Sequence, residues 1–208
     1  MKVGFWLKLQ VCVLAVGGSL AVHAQSPTIP ETLAREGRDS GLHVHHGSGR
    51  PPATAEILLR TSVVVRGTIG VGRSYLSTDQ RDVLTDYVLT DAVILYERQM
   101  RLSPVPGVPP VVTVTQRGGA ISVNGLKYAE TWADLPPLTP GAEGLFLLES
   151  IGDKHLIAGI HYGAFRIANG QLEPMTRQKG FAPEYTGVGV AQATEQILGS
   201  LRALDAGR

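Results

Sequence analysis

The sequence predicts a mainly β protein, an OB-like antiparallel barrel or a closely related β-sandwich, with a C-terminal α-helix packed on it. Three observations support this fold class. Two long stretches, 62–75 and 83–96, are rich in β-branched residues, and the first carries glycines at the intervals typical of bulges and tight bends. Two Asn-Gly pairs mark hairpins. After Pro183, apolar residues recur at helical spacing.

Residues 1–24 have the layout of a secretory signal peptide. Lys2 precedes an apolar run over 11–22, and the small residue Ala24 is followed by Gln25, so we expect cleavage between Ala24 and Gln25. The run is shorter than the roughly 20 apolar residues that a membrane-spanning helix needs. The alternative is an uncleaved N-terminal anchor. The protein is expected to be exported, either to a periplasm or out of the cell.

Removal of this signal would change the chemistry of the chain. It takes away Cys12, the only cysteine, so thiol catalysis and disulfides are excluded and the core alone must hold the fold. It also removes Lys2 and Lys8 from a chain whose formal net charge is +1. A nearly neutral mature chain argues against nucleic acid as the main partner. The longest later apolar run, 92–96, is strand-sized, so no membrane span is expected after signal removal.

Residues 25–53 are predicted to form a flexible, proline- and histidine-containing linker. They contain several prolines and a Gly-Ser-Gly cluster, and no sustained apolar period. One short helical turn is expected over 31–38, with Pro30 leading it. A single β-rich domain is expected from 54 to 208.

Within this domain, 54–60 favours one or two helical turns ahead of the two long strands. The polar stretch 77–82 is predicted to be the turn between them. Further strands are predicted at 111–116, 120–123, 126–130, 145–150, 156–161, 164–168 and 171–173. Asn124-Gly125 and Asn169-Gly170 tolerate the positive φ of a tight hairpin turn. The amphipathic helix is expected from about residue 188 to 204.

No catalytic set can be read from the chain. It lacks a Gly-x-Ser-x-Gly motif, and Asp86 and Asp91 fall on opposite faces of a regular strand. Gly187 and Gly189 open the last helix without the rest of a dinucleotide-binding motif. No catalytic residue and no cofactor are predicted. An enzyme whose site is assembled from residues distant in sequence remains an open alternative.

His43, His45 and His46 are the candidate metal ligands, because neutral imidazole binds zinc and copper. In an extended chain His43 and His45 point the same way. The cluster lies in the predicted linker, where metal binding must also order the chain. Metal handling by these three residues is therefore the alternative function, and a solvated histidine-rich linker is the simpler interpretation.

Trp132 and Tyr128 follow the first Asn-Gly hairpin and are the candidate ligand-binding residues. Exposed aromatic side chains there would provide an anchor for a partner, because OB barrels bind through loops and one sheet face. The simpler interpretation is that both pack in the core. The leading functional hypothesis is a non-catalytic exported binding module, with a protein or a surface glycan as its partner.

Four segments carry a resemblance to known proteins: VVVRG at 63–67, YVLT at 87–90, TPGAEGLFLL at 139–148 and YGAFRI at 162–167. In this order they resemble a group of uncharacterised exported bacterial proteins over about residues 56–168. More distantly, the pattern is similar to the netrin-like modules of tissue inhibitors of metalloproteinases, which are OB-type barrels. The resemblance implies an OB-type barrel fold. It does not imply their inhibitory mechanism, which uses an N-terminal cysteine that the mature chain lacks.

Overall fold

The computed structural model describes residues 26–45, 51–98, 110–177 and 184–207. Its helices are α1 (Ile29–Glu36), α2 (Thr54–Arg60) and α3 (Val190–Ala206). Its strands are β1 (Leu42–His45), β2 (Val63–Leu76), β3 (Val83–Glu97), β4 (Val112–Arg117), β5 (Gly119–Val123), β6 (Leu126–Trp132), β7 (Glu143–Ile151), β8 (Lys154–Ile157), β9 (Ala164–Ala168) and β10 (Gln171–Pro174). The predicted cleavage site, Ala24 and Gln25, lies outside the described residues, and so does His46.

The larger of two sheets has seven strands in the order β10-β9-β7-β2-β3-β4-β8, and β8 also pairs with β7. The β4–β8 pair is parallel, whereas β8 runs antiparallel to β7. The pairing of β2 with β3 shifts register around Gly67 and Gly70, as the glycine pattern predicts. A Cβ atom at Gly70 would lie 2.4 Å from the Val88 carbonyl oxygen, so the two strands approach this closely only with glycine there.

Alternate residues of the large sheet pack on its two sides. On one side, Val65, Phe146 and Leu148 belong to a cluster of buried side chains drawn from β2, β3, β4, β7 and β8. On the other side, Val64 and Leu147 pack with buried residues of α2 and α3. Both faces of the central strands are therefore buried, and the apolar character of their sequence follows from this.

The smaller sheet has three strands in the order β1-β6-β5. The chain passes from β4 in the large sheet to β5 in the small one through Gly118 and Gly119, whose φ angles are +96° and +145°. β5 and β6 form an antiparallel hairpin, and β1 pairs with β6 in parallel. Helix α1 packs Ile29 and Leu33 against Tyr128 of β6, so it covers one face of this sheet.

The fold-class prediction is confirmed in its main terms: the protein is mainly β, with a C-terminal helix. Both predicted hairpin turns form with positive φ, 52° and 83° at Asn124 and Gly125, and 51° and 74° at Asn169 and Gly170. The turn residues therefore adopt the backbone conformation for which this dipeptide is preferred.

The helical turn expected over 31–38 lies at α1, but the structure differs from a flexible linker at 25–53 in that α1 packs on the domain and β1 pairs with β6. Helix α1 begins with a capping box between Thr28 and Glu31, which satisfies two backbone N–H groups at the helix start. Ile29 and Leu33 are one helical turn apart, and both are buried. A two-residue apolar stripe therefore docks this helix on the domain.

The strand predicted at 156–161 is also shorter in the structure, where β8 ends at Ile157. Gly159 adopts a φ of 65°, and the chain turns there before β9. His161, in this turn, is 2% exposed. It lies between the rings of Trp132 and Tyr162, at centroid distances of 6.4 and 4.1 Å.

None of the helices in the described ranges has the length and apolar character required to span a membrane.

Candidate functional site

A groove of about 510 Å³ lies between the two sheets. The large sheet and the segment after β6 contribute Gly72, Ser74, Thr85, Tyr87, Gln116, Pro137, Leu138 and Pro140. The small sheet and its junction contribute Leu42, Gly118, Gly119, Ala120, Ala129, Glu130 and Thr131. Its volume falls in the range of sites that bind small molecules, roughly 300–1,000 Å³.

The junction between the sheets shapes this groove. A Cβ atom at Gly119 would lie 2.3 Å from Thr85 Oγ1 and 2.4 Å from Ser74 Oγ. Any other residue would therefore collide with the large sheet and displace β5. The glycine lets the small sheet begin beside β2 and β3, with the groove between them.

Three polar side chains of the groove wall, Ser74, Thr85 and Gln116, form hydrogen bonds within the protein. Ser74 Oγ and Thr85 Oγ1 lie 2.8 Å apart, and Thr85 Oγ1 donates to the Gly118 carbonyl oxygen at 2.6 Å. Gln116 donates to the Pro136 carbonyl oxygen at 3.0 Å and accepts from the Leu138 backbone N–H at 3.3 Å. These bonds leave the wall mainly apolar towards a ligand.

Glu130 lines the groove with its backbone, because side chains alternate between the faces of a strand. Its neighbours Ala129 and Thr131 face the groove. The Glu130 carboxylate accepts a hydrogen bond from the Val83 backbone N–H at 3.1 Å and lies 3.0 Å from His45 Nε2. The Glu130 carboxylate therefore lies on the face of the small sheet opposite the groove.

Glu130 is 3% exposed, and this burial raises the pKa of its carboxyl group above the ordinary value. Asp82 also raises it, whereas the hydrogen bond from Val83 and the electrostatic interactions with His45 and Arg117 lower it. Burial is the largest of these effects because a buried carboxylate loses its hydration.

The histidines of β1 lie on this charged face and stack on aromatic residues of β6. His43 stacks on Tyr128 with ring centroids 4.8 Å apart, and His45 stacks on Trp132 at 5.2 Å. His43 also makes a close contact with Ser40. Two of the three predicted metal ligands, His43 and His45, are thus each paired with one of the two predicted aromatic anchors.

The two aromatic candidates occupy different environments. Tyr128 is 8% exposed and packs with Ile29 and Leu33 of α1, as the core interpretation expects. Trp132 is half-buried, with His45 on one side of its ring system. Neither residue lines the groove.

The described residues contain no group of three or more His, Cys, Asp or Glu side chains arranged to hold a metal ion. His43 and His45 each stack on a different aromatic ring, and His46 lies outside the described ranges. Metal handling by the three histidines therefore stays a hypothesis.

Sequence reasoning missed Glu130 and the groove. Glu130 shares the strand parity of Tyr128 and Trp132, and a carboxylate between two aromatic positions on one strand face is a signal for a buried, partnered acid. The groove has no such signal, because its two walls come from strands that are distant in sequence.

Comparison of the chain with protein-family models, with curated proteins and with solved structures finds no match.

Proposed function

We propose that this protein is an exported, non-catalytic binding module built on an OB-like barrel, and that its ligand site is the groove between the two sheets. The barrel is supported by the pairing order: β7, β2, β3, β4 and β8 pair in succession, and β8 pairs back onto β7. A five-stranded partly open barrel is the architecture of OB folds.

The ligand that this groove favours is small and apolar. The observation that carries this proposal is that Ser74, Thr85 and Gln116 already bond inside the protein. A surface glycan needs free donors and acceptors for its hydroxyl groups, because a polar group buried without a partner is costly. An apolar molecule, or the apolar end of a larger partner, leaves no hydrogen-bonding group of its own unpaired in such a groove.

The experiment is a titration with the neutral apolar dye Nile red, followed by fluorescence. Ala120 lines the groove and is exposed, so Ala120→Trp fills the groove without disturbing the core. Ser122, exposed on the same strand with the same parity, does not line it, so Ser122→Trp is the matched control.

We expect the dye to bind the unmodified protein and Ser122→Trp alike, and to bind Ala120→Trp at least about tenfold more weakly, since the indole occupies the site. Circular dichroism checks that all three proteins keep the same fold. Equal dye affinity in the two tryptophan variants would contradict the proposal.

A further inference from the structure

A second cavity, of about 320 Å³, shares Pro137 and Leu138 with the groove. Its lining also includes Thr139, Ala142, Arg166, Met175, Thr176 and Arg177. The segment before β7 therefore forms a wall of both cavities. The chemistry of the two differs, because the second one has a charged lining.

The charged side chains that line this cavity are two arginines, with no carboxylate among the lining residues. Arg166 on β9 forms a close ion pair with Glu173, directly opposite it on β10. Arg177 is held at its backbone, where its N–H donates to the Asp134 carbonyl oxygen at 2.7 Å. In the described part of the chain, its guanidinium makes no ion pair.

The rest of the lining combines two threonines with prolines and apolar residues, of which Ala142 and Met175 are partly exposed. Ile69 is buried, and Ala142 and Met175 pack against the same core cluster. An inorganic anion would gain nothing from these walls, whereas an organic acid would bury its hydrocarbon part against them. A guanidinium also matches the two oxygens of a carboxylate in a bidentate geometry.

We propose that this cavity binds a small organic acid, with its carboxylate at Arg177 and its apolar part against Ala142 and Met175. Arg166 contributes less to binding of the carboxylate because it is already paired with Glu173. This site is distinct from the groove, and the proposal does not depend on what the groove binds.

The test compares 3-phenylpropionate with 3-phenylpropanol, which has the same apolar body and no charge. Binding is measured by the chemical shift of the 13C-labelled Met175 methyl group, at about 0.15 M salt so that long-range charge effects are screened. The variants are Arg177→Gln and, as a control with the same charge change, Arg202→Gln at an exposed position of α3.

We expect the acid to bind at least about tenfold more tightly than the alcohol, because a bond between charged groups is worth more than one to a hydroxyl. Arg177→Gln should remove this preference and Arg202→Gln should leave it. Glu173→Gln frees Arg166 and should tighten binding of the acid. This variant removes only the negative charge of a side chain that is 44% exposed, so it also tests the proposal if Arg177→Gln is poorly folded.

Three results would overturn the proposal. The first is equal affinity for the acid and the alcohol. The second is an equal loss in the two arginine variants, which would indicate a general charge effect. The third is inorganic phosphate binding as tightly as the acid, since the apolar walls would then contribute nothing.

Discussion

The seven-stranded and three-stranded sheets are held together by different interactions. Strands β2 and β7 of the large sheet are buried on both faces by apolar side chains. In the small sheet, all four residues of β1 are exposed, and this strand is held by backbone pairing, ring stacking and the contact between His45 and Glu130. We therefore expect the large sheet to contribute most of the stability. The small sheet contributes the histidine, aromatic and carboxylate side chains.

The small sheet also presents two unlike faces from one strand. Ala129 and Thr131 of β6 face the apolar groove, whereas Tyr128, Glu130 and Trp132 face the histidines and α1. The pleat of a strand is enough to separate an apolar site from a charged one. Substitutions on the two sheets and on the two faces should therefore have different consequences.

The largest effect is expected in the core of the large sheet. Leu148 is fully buried, so Leu148→Ala should lower the free energy of unfolding by about 2–5 kcal/mol, through lost burial and the cavity it leaves. Urea unfolding measures this. Val71→Ala on β2, at an exposed position of the same sheet, is the control. A similar small loss in both variants would show that this core is not the source of stability.

The next effect is expected on the charged face of the small sheet. Glu130→Ala leaves the Val83 N–H without its acceptor, so we expect a loss of about 1–3 kcal/mol in the free energy of unfolding. Glu130→Gln keeps an amide oxygen for this N–H and should cost less. The account would be wrong if the alanine and glutamine variants unfolded at the same urea concentration.

The pH dependence of stability sharpens the role of Glu130. Because burial raises its pKa in the folded state, the folded protein holds the proton more tightly than the unfolded chain does. The stabilisation from this group is complete below the unfolded pKa of about 4.3 and is lost as the pH rises through the folded value. The difference in unfolding free energy between the unmodified protein and Glu130→Gln should therefore fall as the pH rises above about 4.3.

Urea unfolding of both proteins between pH 4 and pH 7 measures this difference, in which titrating groups that do not interact with Glu130 cancel. A difference that grows with pH would mean that the charged contact with His45 outweighs the burial of Glu130.

The sequence allowed most of the large sheet to be predicted, because its signals are local. The strands containing Phe146 and Phe165 follow from short apolar runs, and the two Asn-Gly turns follow from backbone preferences. β1 was not predicted because its partner β6 is far along the chain, and its alternation of apolar residues with histidines spans only four exposed positions. The OB-like closure, the binding role and export remain proposals.

The groove could not be predicted for a related reason. Its walls are residues such as Gly72, Ala120 and Ala129, whose small size has meaning only when the two sheets are placed side by side. Glu130 could have been found from its parity with Tyr128 and Trp132. The stacking of His43 and His45 on aromatic rings could not be predicted, because it depends on the register of β1 against β6.

The smallest effect is expected at the rim of the groove. Leu42 on β1 is 63% exposed, so Leu42→Ser should change the free energy of unfolding by no more than about 0.5 kcal/mol. It should nevertheless weaken Nile red binding, because Leu42 lines the groove. A large loss of stability in urea would place β1 among the elements that hold the fold.

The most direct test of the groove as the ligand site is a single NMR titration with Nile red that observes both faces of the small sheet. The alanine methyl signals of Ala120 and Ala129 report on the groove, and the ring signals of His43 and His45 report on the charged face. We predict that the two alanine methyl signals shift in step with dye binding while the histidine signals stay in place. Shifts confined to His43 and His45 would contradict the account and would move the binding site to the opposite face of the sheet.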